Sequence, residues 1–580
     1  MEGLQALPGS VKIEFSSMRW RISAADPEIV GKLAGDLRLS PLLARLLVIR
    51  GLDDPERAEQ FLSPALTHLH DPFLMAEMRP AVDRLERAIT RGEKILIYGD
   101  YDVDGTMAVV VLLTALRTLG AKVEAYIPHR LTDGYGMRAP VVEQAHTQGF
   151  RVVLSVDTGV REHEVLARAR ELGLDCIVTD HHLPDDHLPP ACAILNPRRP
   201  DCAYPEKSLA GVGVAFKLAQ ALLGPRMNAQ RLESYLKIVC LGTIADVVPL
   251  VGENRVIAHF GLAGLRDPMN PSLAALLAVS GLGGSDVTTY DVGFRLAPRI
   301  NAAGRMESAR DVIELFTTAD GVRASELAGH LENLNGERQR VEEQIVRTIM
   351  EEMEARPEKA SQYSLVFAGE GWHRGVIGIV AQRVVDRYYR PTLVMGIEDE
   401  VAVGSGRSIR GFHLLDALTQ CSDLFDRFGG HAQAAGFALP AGRVAELATR
   451  FEAHARSILS PEDLEPVLRV DAEVTLADLT PELYAQLQRL EPHGFGNPTP
   501  VYAARGVRLL APPRVLKEKH LKLRVGQGAV SFDALAWRMA ERADELAPGL
   551  FLDLAFAVEE NSYQGVTSLQ LVVKDWRPAA

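Results

Sequence analysis

Three short stretches carry acids and imidazoles at a density that ordinary turn residues do not reach. Asp100, Asp102 and Asp104 alternate through YGDYDVDG, Asp157 stands in SVDTG, and Asp180, His181 and His182 are consecutive in TDHH. Each stretch follows an apolar run that reads as a strand. One aspartate at a strand end is usually a turn residue or a helix cap. Three such ends all bearing acids are not explained that way. In a parallel sheet the carboxyl ends of the strands share one edge, and ligands bind there. That many carboxylates in one cleft repel each other unless cations compensate. Four or more carboxylates with one or two imidazoles and no thiolate suit Mn2+ or Mg2+ better than zinc. Two such ions, about 3.5–4 Å apart, clamp a phosphoryl group and activate a water between them. Asp246, in LGTIADVVPL, is a further acid inside an apolar segment. It reads as exposed, as a helix cap or as drawn to metal, and taken alone the cap is the default.

The elements that would gather these residues follow from the apolar pattern. KILIYGD (94–100), KVEAYIP (122–128), RVVLSVD (151–157), CIVTDHH (176–182) and AILNP (193–197) read as buried strands. Helical patterns such as GTMAVVVLLTALRTLG (105–120) and REHEVLARARELG (161–173) separate them, so an α/β domain with a parallel sheet covered on both faces is expected. Residues 1 to about 85 read as mainly helical, with LSPLLARLLVIRG as one apolar segment. Leu327, Leu331, Leu334, Val341, Ile345 and Ile349 recur at spacings of three, four and seven, which predicts one long helix ending before Pro357. A second α/β block begins at SLVFAGEG (364–371), continues through GVIGIVAQRVVDRYY as a helix and returns in PTLVMG as a strand. From about 466, PVLRVDAEV, PVYAARGVRLL, HLKLRVG, LFLDLAFAVEE and TSLQLVV predict a small β-barrel. The resulting divisions are 1–85, 86–306, 307–359, 360–462 and 463–580.

Composition bounds the rest. A chain of 580 residues, 47% hydrophobic and 24% charged, is an ordinary globular protein of several domains. No apolar run is long enough for a membrane span. The start, MEGLQALPGSVKIEF, lacks the pattern of a signal peptide. Five scattered cysteines suggest neither disulfides nor structural zinc, and a reducing cytoplasm is expected. The net charge of −13 argues against coating duplex DNA by bulk electrostatics. Yet Arg505, Arg508, Arg514, Lys517, Lys519, Lys522 and Arg524 crowd together against one acid, Glu518. That run is either a solvated strand face or a phosphate-binding strip. There is no G-x-x-x-x-G-K-[ST] loop and no G-x-S-x-G elbow, and GVGVAF at Gly211 lacks the third glycine of a dinucleotide site.

YGDYDVDG, SVDTG, TDHH and GTIADVVPL, in that order, resemble the successive motifs of the DHH phosphoesterase superfamily. APRINAAGR (297–305), AVGSGRS (402–408) and GGHAQAAGFAL (429–439) are similar to its RecJ branch, as is the order of DHH domain, connecting helix, DHH-associated domain and oligonucleotide-binding (OB) barrel. The resemblance runs from about 90 to 575. It implies a 5′ to 3′ exonuclease on single-stranded DNA that releases nucleoside 5′-monophosphates in repair and recombination. It implies that Asp102 and Asp104 bind one metal each, that Asp157 bridges the two ions, that His181 and Asp246 complete the shell and that His182 faces the scissile phosphate. Asp180 is expected to orient the histidines. Tyr98 stands where many relatives have a histidine, so Asp100 or a water is expected to fill that place. Arg130, Arg305, Ser405 and Arg407 are candidates for holding a terminal 5′ phosphate, the last two through a glycine-flanked turn with accessible N–H groups. For Arg305 a salt bridge to a nearby acid is the plainer reading. His431, in its glycine-rich setting, is a candidate substrate contact or a helix-start histidine with a packing role. Lys517, Lys519 and Lys522 are candidate strand contacts. A single-strand-binding protein or a RecQ-type helicase is an expected partner, the chain is expected to be a monomer, and the further C-terminal domain of some longer relatives is expected to be absent. Two rival readings are an enzyme for short oligonucleotides or cyclic dinucleotides and a non-catalytic binding relative. The barrel and long helix argue against the first, the intact acids against the second.

Overall fold

Lys94–Tyr98 (β1) sends Ile95 and Ile97 into one apolar layer and Leu96 and Tyr98 into the layers on its other face. A strand buried on both sides needs neighbours in the sheet and helices above and below. The computed structural model describes residues 18–130, 134, 136–563 and 565–579. In it Lys122–Tyr126 (β2), Phe150–Val156 (β3), Asp175–Thr179 (β4) and Ala193–Leu195 (β5) join β1, all in parallel, in the order β2-β1-β3-β4-β5. The expected strands are all present, and the acids follow β1, β3 and β4. From β1 the chain turns outward to β2, whereas from β3 it continues the other way to β4. This reversal opens a crevice at the carboxyl ends of β1 and β3.

Val103–Thr118 (α1) follows β1 and is buried almost throughout, as its all-round apolar sequence requires. His163–Glu171 (α2) follows β3. Gly211–Leu223 (α3) and Ala229–Ala245 (α4) pack on α1, and Gly252–Leu265 (α5) packs on α4. The APRINAAGR stretch lies in Ala297–Met306 (α6), entered through a π-helical turn at Val292–Leu296. The long helix is Gly321–Ala355 (α7); Leu327, Leu331, Leu334, Ile345 and Ile349 are buried along it and Val341 is half-buried.

The chain divides into two units, one holding residues 59–338 and 490–498, the other residues up to 58, 339–489 and 499–580. In the second unit the N-terminal segment has the helices Pro27–Leu37 and Pro41–Val48 and the first half of Pro55–Leu62. It also has a strand, Arg19–Ile22, that pairs in parallel with Val467–Val470. The expectation about a signal peptide rests on residues 1–15, which lie outside those described. The second α/β block has Leu365–Glu370 (β6), Ile377–Tyr388 (α8), Thr392–Glu398 (β7), Val401–Arg407 (β8), Arg427–Gly430 (β9) and Ala434–Pro440 (β10), in the sheet order β9-β10-β8-β7-β6.

One expectation is corrected here. AVGSGRS is not a turn but the strand β8, laddered to β7 on one side and β10 on the other. Its N–H groups are therefore spent on the sheet. Its glycines are there for packing, since a Cβ on Gly404 would strike the Phe437 ring. His431 lies in the hairpin between β9 and β10, not at a helix start.

The C-terminal strands Tyr502–Leu509 (β11), His520–Gln527 (β12), Val530–Ala536 (β13), Phe551–Tyr563 (β14) and Val566–Pro578 (β15) form a ring β11-β14-β15-β13-β12. Pairing of Arg508 with Gly526 and Leu509 with Val525 closes it. Five strands closed on themselves are the OB barrel.

Candidate metal centre

Asp102 is the N-cap of α1, accepting from the Gly105 N–H at 3.0 Å, so the plain cap role is real for this residue. Asp104, in the first turn of α1, is 1% exposed and faces the start of α3. There the N–H groups of Gly211 and Val212 donate to its two oxygens at 2.6 and 2.8 Å. The GVGVAF stretch thus serves an anion, but the anion is a side chain of this protein held at a helix N-terminus. Gly211 also comes so close to Asp157 that a Cβ would stand 2.6 Å from the carboxylate. Asp157 leaves β3 with φ +59, a left-handed turn that aspartate tolerates.

His181 Nε2 stands 3.1 Å from Asp157, 3.6 Å from Asp246 and 3.8 Å from Asp104. Ligand atoms of Asp104, His181 and Asp246 lie within 4.8 Å of one another, and so do those of Asp100, Asp102 and Asp157 and those of Asp157, His181 and His182. Asp157 therefore belongs to both sides of the cluster. Asp246 is the C-cap of α4, the negative end of the helix macrodipole, where an acid is disfavoured without a compensating cation. The next residue, Val247, has φ +59. A β-branched residue there costs about 1–3 kcal/mol, strain of a kind that collects at functional sites.

Electrostatics agree with the geometry. Burial, and then the charge of Asp102, push the Asp100 carboxyl up to about 8 and that of Asp104 up to about 7, although two N–H groups oppose the rise at Asp104. Asp246 is pushed up to about 9 by burial and by Asp104 and Asp102. Burial and Asp104 hold Asp157 well above the usual carboxylate range. Burial drives His181 down to about 4, which keeps it neutral, the form that ligates metal. Buried Oδ1 atoms of Asp100 and Asp157 have no hydrogen-bond donor among the described residues. Orphaned buried carboxylate oxygens beside a neutral imidazole fit hard divalent cations.

Asp180 stands in none of these ligand groups. It accepts from the N–H groups of His181 and His182, from Val160 and from His182 Nδ1. Burial works against the charge on His182, but the bond to Asp180 and the nearby Asp104 and Asp100 outweigh it and raise its pKa. Tyr98 is buried and donates to the Gly136 carbonyl at 3.1 Å, on the face of β1 that packs on the β3–β5 core.

The other candidates form separate groups. Arg130 lies over the ring of Tyr101, 5.0 Å from its centroid, and Arg305 also acts on Tyr101, whose hydroxyl burial pushes to about 12. In the second unit Arg407 donates to Ser405 Oγ at 3.0 Å, and both side chains stand against Gly378 in the first turn of α8. Ala434, three residues after His431, pairs with Arg407 across the sheet. In the barrel the basic run splits. Lys522 and Arg524 pair with Asp533, and Arg505 with Glu473, whereas among the described residues Arg508, Arg514, Lys517 and Lys519 have no carboxylate within 4 Å.

Sequence reasoning missed Tyr101, the Gly211–Val212 N–H pair and an aromatic pair in the barrel. His520 and the half-exposed Trp537 meet edge to face at 4.8 Å, with Lys517, Lys519 and Arg538 around them. Interleaved aromatic and basic residues suit stacked bases and their phosphates.

Residues 94–243 match the DHH family N-terminal domain, 361–457 the DHHA1 domain and 470–575 the RecJ OB domain. The chain is 40% identical over 563 residues to the single-stranded-DNA-specific exonuclease RecJ of Bacillus subtilis, covering 97% of this chain and 71% of that one. It is 34% identical to the RecJ of Escherichia coli over 93% of this chain and 96% of the other. The crystal structure of RecJ from Thermus thermophilus in complex with Mn2+ matches with a TM-score of 0.83 at 30% identity, over 97% of this chain and 80% of that one. Its complex with Mg2+ matches at 0.76. The three domain matches follow one another along the chain, and the identity to these relatives is sustained along nearly its whole length, so the chain belongs to the RecJ family of DHH proteins.

Proposed function

We propose that this chain is a metal-dependent exonuclease specific for single-stranded DNA. It degrades strands from the 5′ end to nucleoside 5′-monophosphates in DNA repair and recombination. The observation that carries the reading is Asp157: one buried carboxylate that stands both with the acids Asp100 and Asp102 and with the imidazoles His181 and His182, with an oxygen that no hydrogen-bond donor satisfies among the described residues. Asp104, Asp157, His181 and Asp246 hold one cation, Mn2+ or Mg2+, and Asp100, Asp102 and Asp157 the other. Bound there, the cations supply Lewis acidity toward the phosphate and bring the pKa of a water into the physiological range. Asp180 holds the His182 imidazole in place, and that ring donates to a phosphate oxygen as negative charge grows on it. Ser405 and Arg407, aided by His431, bind the terminal 5′ phosphate beside the start of α8, a setting that favours anions. Arg130 and Arg305 hold phosphates near the acids, and Lys517 and Lys519 with Trp537 hold the strand on the barrel.

In this reading the protein acts as a monomer in the bacterial cytoplasm, on strands presented by a single-strand-binding protein or a RecQ-type helicase. Among the described residues no helix is long and apolar enough to cross a membrane. The test is digestion of long single strands with each end blocked in turn, with Mn2+, Mg2+ or chelator. Mononucleotide release that survives a 3′ block, stops at a 5′ block and needs metal supports the reading. Release that survives a 5′ block removes the polarity, and activity confined to di- or trinucleotides removes the long-strand substrate.

A further inference from the structure

The segment Leu490–Pro498, LEPHGFGNP, leads into the barrel, yet it belongs to the unit that carries the metal acids. Arg255, 2% exposed, holds it there. Its Nη1 donates to the carbonyls of Leu490 at 2.9 Å and Pro492 at 3.3 Å, its Nη2 to Glu491 at 2.7 Å and its Nε to Phe61 at 2.7 Å. From inside the segment, buried Asn497 donates to the carbonyls of Leu490 and Pro492. Thr289 donates to the carbonyl of His493 at 2.6 Å. Gly494 and Asn497 bond each other in both directions, which makes a tight loop with Phe495 and Gly496 at its tip.

That tip meets the stretch that carries Asp246. The Leu250 N–H donates to the Phe495 carbonyl at 2.8 Å. A Cβ on Gly496, whose φ is +75, would stand 2.9 Å from Pro249 Cβ and 3.2 Å from its Cα. On the other side of the same stretch, Asn254 donates to the Pro249 carbonyl at 3.2 Å and the Ser208 carbonyl at 2.6 Å. Asp246 to Leu250 thus ends on a clamp, and within it stands Val247, 63% exposed and in a left-handed conformation that a valine does not hold unaided. Its own N–H reaches Ile244 at a long 3.3 Å, too weak a tether to enforce that turn.

We propose that Leu490–Pro498 is a positioning strap for the metal centre. By fixing Pro249 and Leu250 it keeps Val247 in its strained turn and so aims the Asp246 carboxylate at His181 and Asp104. The linker to the barrel is thereby a working part of the hydrolytic site. This rests on Asp246 being a metal ligand, as the proposed function has it. Gly496 and Phe495 act through Asp246 and touch neither cation nor strand in this role.

The test uses the full chain in four forms: Gly496→Ala, Val247→Gly, the two combined, and Asp246→Asn. Mn2+ affinity is read by electron paramagnetic resonance of the free ion, and kcat and KM on a short 5′-phosphorylated strand. Gly496→Ala is expected to weaken Mn2+ binding and lower kcat by about tenfold or more, the usual effect of disturbing a ligand's support, with KM nearly unchanged. Adding Val247→Gly, which lets the turn form without the strap, is expected to recover most of both. If Gly496→Ala fails to fold, Thr289→Val removes one strap bond and is expected to cost up to about fivefold in the same two quantities. Gly496→Ala, or Thr289→Val in its place, retaining Mn2+ affinity and kcat while Asp246→Asn loses both would overturn the strap's role. So would a loss that Val247→Gly does not relieve. Unchanged Mn2+ affinity in Asp246→Asn would overturn the ligand assignment itself, and the strap's role with it.

Discussion

His182 Nδ1 and Asp180 Oδ1 stand 2.7 Å apart, and the same carboxylate oxygen accepts the main-chain N–H groups of His181 at 2.7 Å and His182 at 3.0 Å. One buried acid therefore fixes both histidines, though it stands in no ligand group. Asp180→Asn keeps the size but not the charge, and it is expected to lower kcat by about 10–100-fold with little change in KM. Initial rates on a 5′-phosphorylated oligonucleotide at saturating Mn2+ decide it. A rise in KM with kcat intact would make Asp180 a binding residue instead.

The acid cluster makes stability depend on pH and metal together. Asp100, Asp104 and Asp246 have folded-state values of about 8, 7 and 9, and Asp157 is raised too, all far above the unfolded carboxyl near 4. The folded chain then binds protons that the unfolded chain has released, so stability falls as pH rises from about 4 through 9. The metal-free protein is expected to melt lower at pH 9 than at pH 6. Mn2+ is expected to raise the melting temperature more at pH 9, because the cations replace those protons. Asp157→Ala is expected to flatten the metal-free pH dependence, shrink the Mn2+ effect and abolish hydrolysis while single-strand binding persists. Melting curves in chelator and in Mn2+ across this range, with a binding assay, check each point. Near-normal turnover in Asp157→Ala would remove the shared-ligand assignment.

How much of this was legible depends on how each element is buried. β1, β3 and β4 are covered on both faces, so they are continuous apolar runs with acids as punctuation. β13 was not readable in VSFDALA, because Asp533 sits outward to meet Lys522 and Arg524 and interrupts the pattern. β8 was not readable because its glycines yield their volume to Phe437 and Leu393 on neighbouring strands. At Asp246 the sequence allowed a cap, and only the fold shows that the cap is at a helix C-terminus within reach of His181. The Asp104 pairing with Gly211 and the Leu250 pairing with Phe495 join residues 107 and 245 positions apart. No local pattern encodes contacts of that range.

The basic run of the barrel is not uniform, and its members are expected to differ. Lys517→Ala with Lys519→Ala should weaken binding of long strands and shrink the salt slope of log affinity by about 0.7 for each phosphate no longer neutralised. Lys522→Ala should matter less, because Asp533 already neutralises that charge at 2.9 Å. Trp537→Ala should weaken binding with little change in salt slope, since stacking releases no counterions. Titrations of a long single strand at several salt concentrations separate these outcomes. Equal slopes for wild type and the double lysine variant would make the run a solvated face.

Arg407 tests the reading of strand polarity. Its guanidinium sits beside Ser405 Oγ, with Gly378 of the first turn of α8 so close that a Cβ there would be 3.2 Å from Arg407 Nη2. A phosphate placed there meets a planar fork, a hydroxyl and a helix start together. A 5′ hydroxyl offers no such charge, and charge-assisted hydrogen bonds are about twice as strong as neutral ones. Arg407→Ala should therefore slow degradation of 5′-phosphorylated strands and shrink their advantage over 5′-hydroxyl strands. Arg407→Lys should restore only part, because lysine brings a point charge without the fork. The measurement is initial rate on matched strands that differ only at the 5′ end, for wild type and both variants. A phosphorylated-to-hydroxyl ratio equal in all three proteins would show that Arg407 does not read the 5′ phosphate. In that case its role is structural, through bonds that include those to Ser405 and the Gly406 carbonyl.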